Sequence, residues 1–188
     1  MSNDTIGPVG GKTITFLERP AENHGRRIVL EVEATPFGIA EHTHPQNEET
    51  LDVLEGQVHV LHGATRKILE PGESMTVPPR TRHAWWNETN GTVRVRVTLT
   101  PDGGLEAYLR NVYGLVRDGH TRADGSLKTL QRAVMTDSYR HMLFEPIDFK
   151  LRALHRTLAP IGRLLGYRAD YPQYRGPSNT PHIPENPE

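Results

Sequence analysis

The stretch GIAEHTHPQNEETLDVLEG, at residues 38–56, decides the fold of this chain. His42 and His44 stand at alternate positions in it, and a strand would point both imidazoles to one face. Glu49 follows five residues beyond His44 and opens a strand, so its carboxylate can point where the imidazoles point. This spacing suits a metal ion that the three side chains share.

A second stretch, GESMTVPPRTRHAWWN at residues 72–87, supplies a fourth candidate ligand, His83, at the start of another strand. Trp85 and Asn87 share the parity of His83, so we expect both to point inward while Trp86 points outward. Two interpretations of Trp85 stay open, a wall of a ligand pocket and an ordinary core residue. Asn87 is expected to form structural hydrogen bonds.

The two stretches resemble the two sequence motifs of the cupin superfamily. The first resembles G-x-H-x-H-x-E-x-G, with its first glycine one residue nearer the histidine pair; the second resembles the Gly, Pro, His, Asn motif, with Arg80 where the family usually has a glycine. With the flanking strands, the resemblance extends over residues 12–101. It implies a single-domain cupin, an all-β double-stranded β-helix (jelly-roll) barrel. It also implies one divalent transition metal ion, of iron, manganese, nickel, copper or zinc, with the ligands His42, His44, Glu49 and His83.

Glu48 competes with Glu49 for the ion, because adjacent residues on a strand face opposite ways. The cupin motif favours Glu49, which lies seven positions before Gly56, and leaves Glu48 facing solvent or a loop. The chain has no cysteine, so nitrogen and oxygen atoms are the available ligands. An octahedral ion with three imidazoles and one carboxylate would keep two positions for water, substrate or dioxygen.

His59 and His62 have opposite parity on another strand, so at most one faces inward, and surface or core roles are expected for both.

Period-two alternation between residues 12 and 100 predicts roughly eight or more short strands, of which Val93–Thr100 is the clearest. After Pro101 the period becomes that of a helix. Three helices are predicted: one through residues 105–116, one that carries Leu127, Leu130, Val134 and Met142, and one through residues 151–165 with a kink or break at Pro160. We therefore predict a barrel domain at residues 1–101, a helical extension at 102–167 that packs on the barrel or on a partner subunit, and an extended tail at 168–188.

Length and charge narrow the class of protein. The chain has 188 residues and a formal net charge of −1 at pH 7, which argues against a nucleic-acid partner. No apolar run approaches the ~18 residues that span a bilayer, so we expect no membrane segment and a cytoplasmic protein.

The basic third helix has two interpretations, a packing helix and an amphipathic element for anionic lipid or phosphate. Its apolar residues form a leucine seam, Leu151, Leu154, Leu158, Ile161 and Leu165. This seam needs a partner, which the barrel exterior, the other two helices or a second subunit can each supply. Trp86 on the barrel exterior is a natural contact, and a homodimer is expected.

Three functions are consistent with these features. The first is a metal-dependent oxygenase of the dioxygenase type, an oxidoreductase whose ion binds a small chelating organic substrate beside dioxygen. The second is a metal-dependent isomerase, epimerase or lyase, for which the sequence names no inward lysine, tyrosine or aspartate to move the proton. The third is a non-catalytic module that binds a small ligand through the cation. For all three, Leu51 and Val53, which share the face of Glu49, are candidate pocket walls together with Trp85.

Overall fold

Alternation of apolar and polar residues builds most of this chain into strands. The structure, a computed structural model, describes residues 4–142 and 149–176. Within those residues there are ten strands and three α-helices. The strands are β1 (Asp4–Val9), β2 (Lys12–Glu18), β3 (Ile28–Ala34), β4 (Phe37–His42), β5 (Glu48–Glu55), β6 (Val58–His62), β7 (Thr65–Leu69), β8 (Ser74–Val77), β9 (His83–Asn87) and β10 (Val93–Thr100). The helices are α1 (Leu105–Arg117), α2 (Thr129–Ser138) and α3 (Phe149–Leu164).

The strands form two antiparallel sheets with crossed-over strand orders. The larger sheet has the order β1-β2-β3-β10-β5-β8 and the smaller sheet β4-β9-β6-β7. The predicted strand-rich architecture is confirmed, but the predicted closed barrel is not. In the described part of the chain, no strand of one sheet pairs with a strand of the other. Pro45 gives one physical reason: it lies where the chain passes from β4 to β5, and it has no amide hydrogen with which to continue a ladder.

The inner faces of the two sheets share one hydrophobic core. Strand β10 lies between β3 and β5 in the larger sheet and presents four buried side chains inward, those of Val93, Val95, Val97 and Leu99. The smaller sheet contributes Trp85, which is 2% exposed. Because a slip of one residue would turn each of these apolar faces toward water, the alternation that the sequence predicts also fixes the register.

Helix α1 follows the prediction, whereas α2 is shorter than predicted. The sequence predicts Leu127 and Met142 on the second helix, but both lie outside α2. Leu127 forms an isolated bridge with Thr121, and the amide of Met142 donates to the carbonyl of Tyr139 in the turn that follows the helix. Apolar spacing does not mark a helix end, because residues of a flanking turn can point into the same core.

Helix α3 continues through Pro160, where the sequence predicts a kink or a break. It packs closely on α2: a Cβ added to Gly162 would lie only 2.8 Å from Cγ2 of Val134. This close packing supports the helix beside the proline. The leucine seam mostly faces away from this contact, and Leu154 and Ile161 are about half exposed. None of the helices in the described residues is long and apolar enough to cross a bilayer.

Trp86 lies on the outer face of the smaller sheet, as predicted, and contacts side chains of that sheet and of the turn that follows it. Its ring stacks on His59 with centroids 5.7 Å apart, and the guanidinium of Arg66 lies 5.6 Å from the ring centroid. The indole N–H donates to Glu88 at 2.6 Å. The contact between Trp86 and the third helix stays a prediction, and these polar and ring contacts of the indole are all with its own sheet or the turn that follows it.

The tail is described as far as residue 176, and residues 177–188 lie outside the described residues. The described part is not fully extended, because Pro172–Tyr174 form a 3₁₀ turn. Tyr174 packs against α1 so closely that Gly114 has no room for a Cβ. This part of the tail therefore covers the outer side of α1.

A buried ion cluster anchors α1 to the first two strands. Glu106 accepts hydrogen bonds from Arg19 at 2.8 Å and from Arg110 at 2.9 Å, and Arg110 also contacts Asp4 of β1. The guanidinium of Arg110 lies 4.3 Å from the ring centroid of Phe16 on β2. Glu106 and Arg110 are only 4% and 6% exposed, so each charge depends on its partners rather than on water.

We expect Glu106→Gln to lower the free energy of unfolding by about 3 kcal/mol, because it leaves two buried guanidiniums with one carboxylate fewer. Urea denaturation followed by circular dichroism measures the change. Glu55→Gln is the matched control, since Glu55 pairs with Arg94 at the surface at 3.8 Å and should leave the midpoint unchanged. Equal midpoints for the two variants would contradict the anchoring role.

Candidate metal centre

Four buried side chains converge at the place where the two sheets meet. His42 ends β4 and His83 begins β9, and the two residues are Cα partners in the ladder between these strands. His44 follows β4, and Glu49 is near the start of β5 in the larger sheet. One ligand atom from each residue lies within 4.8 Å of all the others. The structure thus brings together the four residues that the sequence analysis selects.

The nitrogen and oxygen atoms at the centre of this cluster lie unusually close to one another. His83 Nε2 is 2.7 Å from Glu49 Oε2, and His44 Nε2 is 3.9 Å from the same oxygen. His42 Nε2 is 3.2 Å from His44 Nε2. Among the described residues, neither Glu49 Oε2 nor His83 Nε2 has a partner with the geometry of a hydrogen bond. Buried acceptor atoms grouped in this way are the donor set that a cation satisfies.

Backbone carbonyls orient all three imidazoles. Nδ1 of His42 bonds to the carbonyl of Ala40 at 2.8 Å, and Nδ1 of His83 bonds to the carbonyl of Thr81, also at 2.8 Å. Nδ1 of His44 bonds to the carbonyl of Met142 at 2.7 Å. A carbonyl can only accept, so each Nδ1 carries a proton, and a ring in its neutral form presents its Nε2 lone pair to the cluster.

The cluster perturbs the pKa of each of its members. Burial lowers the pKa of His42 to about 4 and also lowers that of His44, against the attraction of the Glu49 carboxylate. Burial would raise the pKa of Glu49, but His83 and the other imidazoles outweigh it and lower the pKa to about 2. Burial likewise lowers the pKa of His83, yet the adjacent Glu49 carboxylate more than offsets this and raises it. At neutral pH, therefore, Glu49 is ionised while His42 and His44 are neutral.

The predicted choice between the two neighbouring acids agrees with the structure. Glu49 is 5% exposed and points into the cluster, whereas Glu48 is exposed on the other face of β5. Arg80, which replaces the usual glycine of the second motif, adopts the left-handed φ of +66° that glycine favours. Its amide donates to the carbonyl of His44 at 2.7 Å, so the turn still supports the cluster.

A cavity of about 280 Å³ opens from the cluster. His42, His44 and Glu49 line one part of it. The rest of the wall comes from inward residues of β2, β3 and β10, from β4 and from one face of α1. The walls are mainly apolar, with Ile14, Leu30, Val32, Ile39, Trp85, Val97, Leu105, Leu109 and Val112 among them. The cavity thus joins a polar cluster to an apolar channel.

The three predicted wall residues have different positions. Trp85 lines the cavity and is also part of the core, so both of its interpretations apply. Leu51 and Val53 are almost fully buried core residues that do not line this cavity, because β10 and its neighbours stand between them and α1. Asn87 has the expected structural role, since its side chain binds the turn at Thr89.

Three groups at the cluster or along its cavity have no role at the site in the sequence analysis. Met142 supplies a backbone carbonyl from 98 residues beyond His44, and no sequence signal marks such a contact. Lys12 lines the cavity, and its parity with Ile14 on β2 could have revealed it. His62 is the Cα partner of His83 on the adjacent strand, and its Nε2 is buried without a hydrogen-bond partner in the described part of the chain. His62 is thus the inward member of the His59 and His62 pair.

Several solved structures are similar to part of this chain. No curated protein matches the chain. Among solved structures, an RmlC-like cupin from Shewanella frigidimarina is 21% identical, covering 53% of this chain and 85% of that chain with a TM-score of 0.47. The cupin domain of Schizosaccharomyces pombe Cnp3 is 18% identical, covering 58% and 76% with a TM-score of 0.46. The nucleoside dehydratase Pac13 is 19% identical, covering 53% and 77% with a TM-score of 0.43. Likenesses of this size carry no information about activity.

The sequence model of one family gives the assignment. The family is described as Cupin domain, and its match spans residues 28–100, from the start of β3 to the end of β10. The match includes all four residues of the cluster. Residues 28–100 of this chain are therefore a cupin domain, which β1 and β2 precede and the three helices follow.

Proposed function

We propose that this protein is a metal-dependent cupin enzyme of the dioxygenase type, which oxidises a small organic substrate that chelates the ion. One observation carries the proposal: three imidazole Nε2 atoms and the Glu49 carboxylate meet at a buried point that opens onto an apolar cavity. Surface clusters of acids and histidines lack such a cavity and such burial. A buried donor set beside a cavity is the arrangement that binding and chemistry require.

The residues present fit a divalent transition metal ion. His42, His44, Glu49 and His83 would hold it, and Glu49 Oε2 and His83 Nε2, which lie 2.7 Å apart without hydrogen-bond geometry, are the atoms that most need it. A nitrogen-rich set with one carboxylate suits iron, manganese, nickel, copper or zinc. A redox-active member of this group would supply the means to bind and activate dioxygen beside a chelated substrate.

The chain's own residues prepare the site in two ways. The carbonyls of Ala40, Thr81 and Met142 hold the imidazoles in one tautomer, so no proton has to move from Nε2 of His42 or His44 before a ligand binds. The apolar walls exclude water from the space above the cluster, which protects reactive species from hydrolysis. Because Met142 and α1 belong to residues 102–167, we propose that the extension and the barrel domain act as one unit.

Isomerisation, epimerisation and lysis are the alternative enzyme class. They need a group that moves a proton close to the ion, and Lys12 is the one cavity-lining lysine in the described residues. Lys12 and Tyr113 of α1 line one end of the cavity. Leu105, the first residue of α1, lies at the other end beside the cluster, about 12 Å from Tyr113 by the rise of an α-helix. This separation favours an anchoring role for Lys12 over proton transfer at the ion.

Metal analysis tests the ligand set. We expect the purified chain, loaded with Co²⁺ and desalted, to retain about one ion per chain, and His42→Ala or His83→Ala to retain almost none. Glu49→Gln should weaken binding about 10–100-fold, because the variant removes the only charge among the ligands. Glu48→Gln is the matched control and should bind as the unchanged chain does. Full occupancy in His42→Ala and His83→Ala would contradict the assignment.

Proton release on metal binding tests the electrostatics. The pKa of His83 is raised, so at pH 6 this ring is mostly protonated and must lose its proton. His42 and Glu49 already have their metal-binding forms at this pH, and the lowered pKa of His44 favours its neutral form. We expect about one proton released per Zn²⁺ at pH 6 and fewer at pH 8. Calorimetry in buffers of different ionisation enthalpy measures this number. Release of about three protons would show that His42 and His44 are charged in the metal-free protein.

Oxygen uptake distinguishes the three functions. We expect Fe²⁺-loaded protein to consume dioxygen in step with a bidentate oxygen chelator, with catechol and pentane-2,4-dione as first probes, and Zn²⁺-loaded protein to consume none. An oxygen electrode and chromatography of the probes give the two rates. Conversion of a probe by the zinc form without oxygen would favour an isomerase or lyase. Binding to both forms without conversion would favour a non-catalytic module.

A further inference from the structure

The cavity is longer than the metal cluster needs, and α1 runs along it. Leu105, at the start of α1, and Tyr113, two turns further on, both line the cavity. Eight residues of α-helix span about 12 Å. The first turn of α1 belongs to the cluster end, because Gly103 just before it lies against Met142, whose carbonyl orients His44. Tyr113 therefore marks the opposite end.

The register of the larger sheet places Lys12 at that opposite end. Glu49 is the partner of Leu99 on β10, whereas Lys12 is the partner of Ala34, which pairs with Val93 at the other end of β10. Lys12 and Glu49 thus lie at opposite ends of the inner face and on strands three places apart. Both nevertheless line the same cavity.

Gly7 joins Lys12 and Tyr113 at this end. A Cβ on Gly7 would lie 2.6 Å from the carbonyl oxygen of Lys12 and 3.4 Å from Cε1 of Tyr113. The φ of Gly7, +110°, is one that glycine alone adopts without strain. The chain therefore brings β1, β2 and α1 into contact at the point where the two polar residues line the cavity.

The two polar groups at this end are donors in an apolar setting. Tyr113 is 6% exposed, and its hydroxyl is buried without a hydrogen-bond partner among the residues that the structure describes. Lys12 occupies an inward position that alternation otherwise gives to Ile14 and Phe16. Burial lowers the pKa of Lys12 to about 8, so the ammonium form predominates at neutral pH and is poorly solvated. A partnerless hydroxyl and a partly desolvated ammonium both gain from an oxygen ligand.

We propose that the cavity takes an elongated, two-headed ligand: an oxygen chelator at His42, His44, Glu49 and His83, an apolar body along α1, and a carboxylate or similar oxygen acid at Lys12 and Tyr113. The inference rests on the proposed metal site and names the substrate class of that site. Lys12 and Tyr113 then select for the second head group, while Leu109 and Val112 contact the body. Helix α1, in the extension that follows the cupin domain, thereby forms the pocket wall that determines which ligands bind.

The test uses Co²⁺-loaded full-length protein and saturated dicarboxylates of increasing length, octanedioate, decanedioate and dodecanedioate, each beside its monocarboxylate. Calorimetry gives the dissociation constants, and the visible spectrum of Co²⁺ reports whether a carboxylate reaches the ion. We expect at least one dicarboxylate to change the spectrum and to bind at least tenfold more tightly than the monocarboxylate of the same length.

Variants assign that preference to its residues. Lys12→Met keeps the apolar stem and should reduce the ratio between the two acids to about one, whereas Lys67→Met, a change on the exposed strand β7, should leave it unchanged. Tyr113→Phe should weaken dicarboxylate binding severalfold without lowering the melting temperature, because it removes a buried hydroxyl that has no partner. A purely structural tyrosine would lose stability instead.

The outcomes separate this inference from the proposed function. If the protein retains no Co²⁺, the metal site is wrong and the inference falls with it. If Co²⁺ binds but no dicarboxylate exceeds its monocarboxylate, or if Lys12→Met leaves the ratio unchanged, the two-headed ligand is wrong while the metal site stands. A preference lost in Lys12→Met and kept in Lys67→Met supports the inference.

Discussion

Three hydrogen bonds from imidazole Nδ1 atoms to backbone carbonyls are the constraint on which this structure depends. They fix the tautomers, and so they decide that lone pairs rather than protons meet at the centre of the site. Glu49 then supplies the negative charge that attracts a cation, and burial keeps the pKa of His42 and His44 low in spite of that charge. Two of the three carbonyls come from the local chain, two residues before His42 and His83. The third comes from the segment after α2, which makes that segment part of the site.

Much of this arrangement could be predicted from the sequence because alternation is a strong signal. The parity of His42, His44 and Glu49 selected the correct face, and the strand from Val93 to Thr100 lies where its alternation puts it. Alternation could not predict whether the two sheets close into a barrel, because it shows which face of a strand is buried and not which strands pair. The carbonyl of Met142 and the wall that α1 provides could not be predicted either. Both depend on long-range packing, and a backbone carbonyl is present at every residue.

The helices show the limit of periodicity more plainly. The leucine seam of the third helix has the spacing of a packing face, yet α3 approaches α2 through Gly162 and leaves much of the seam exposed. Small residues permit the closest backbone approach, and dispersion contacts at that distance compete with burial of the larger side chains. In α1, by contrast, the apolar face lines the cavity, while the buried Glu106 and Arg110 join the helix to the first two strands and to Arg19 just after them. The ion cluster therefore holds the pocket wall in place.

The carbonyl of Met142 has a wider thermodynamic meaning. Because it is a main-chain group, replacing the side chain at this position does not remove it, but displacement of the surrounding turn does. Occupancy of the centre and attachment of the carboxy-terminal helices are then linked equilibria, and each must favour the other to the same degree. Loss of the cation would then make the carboxy-terminal helices easier for a protease to cleave.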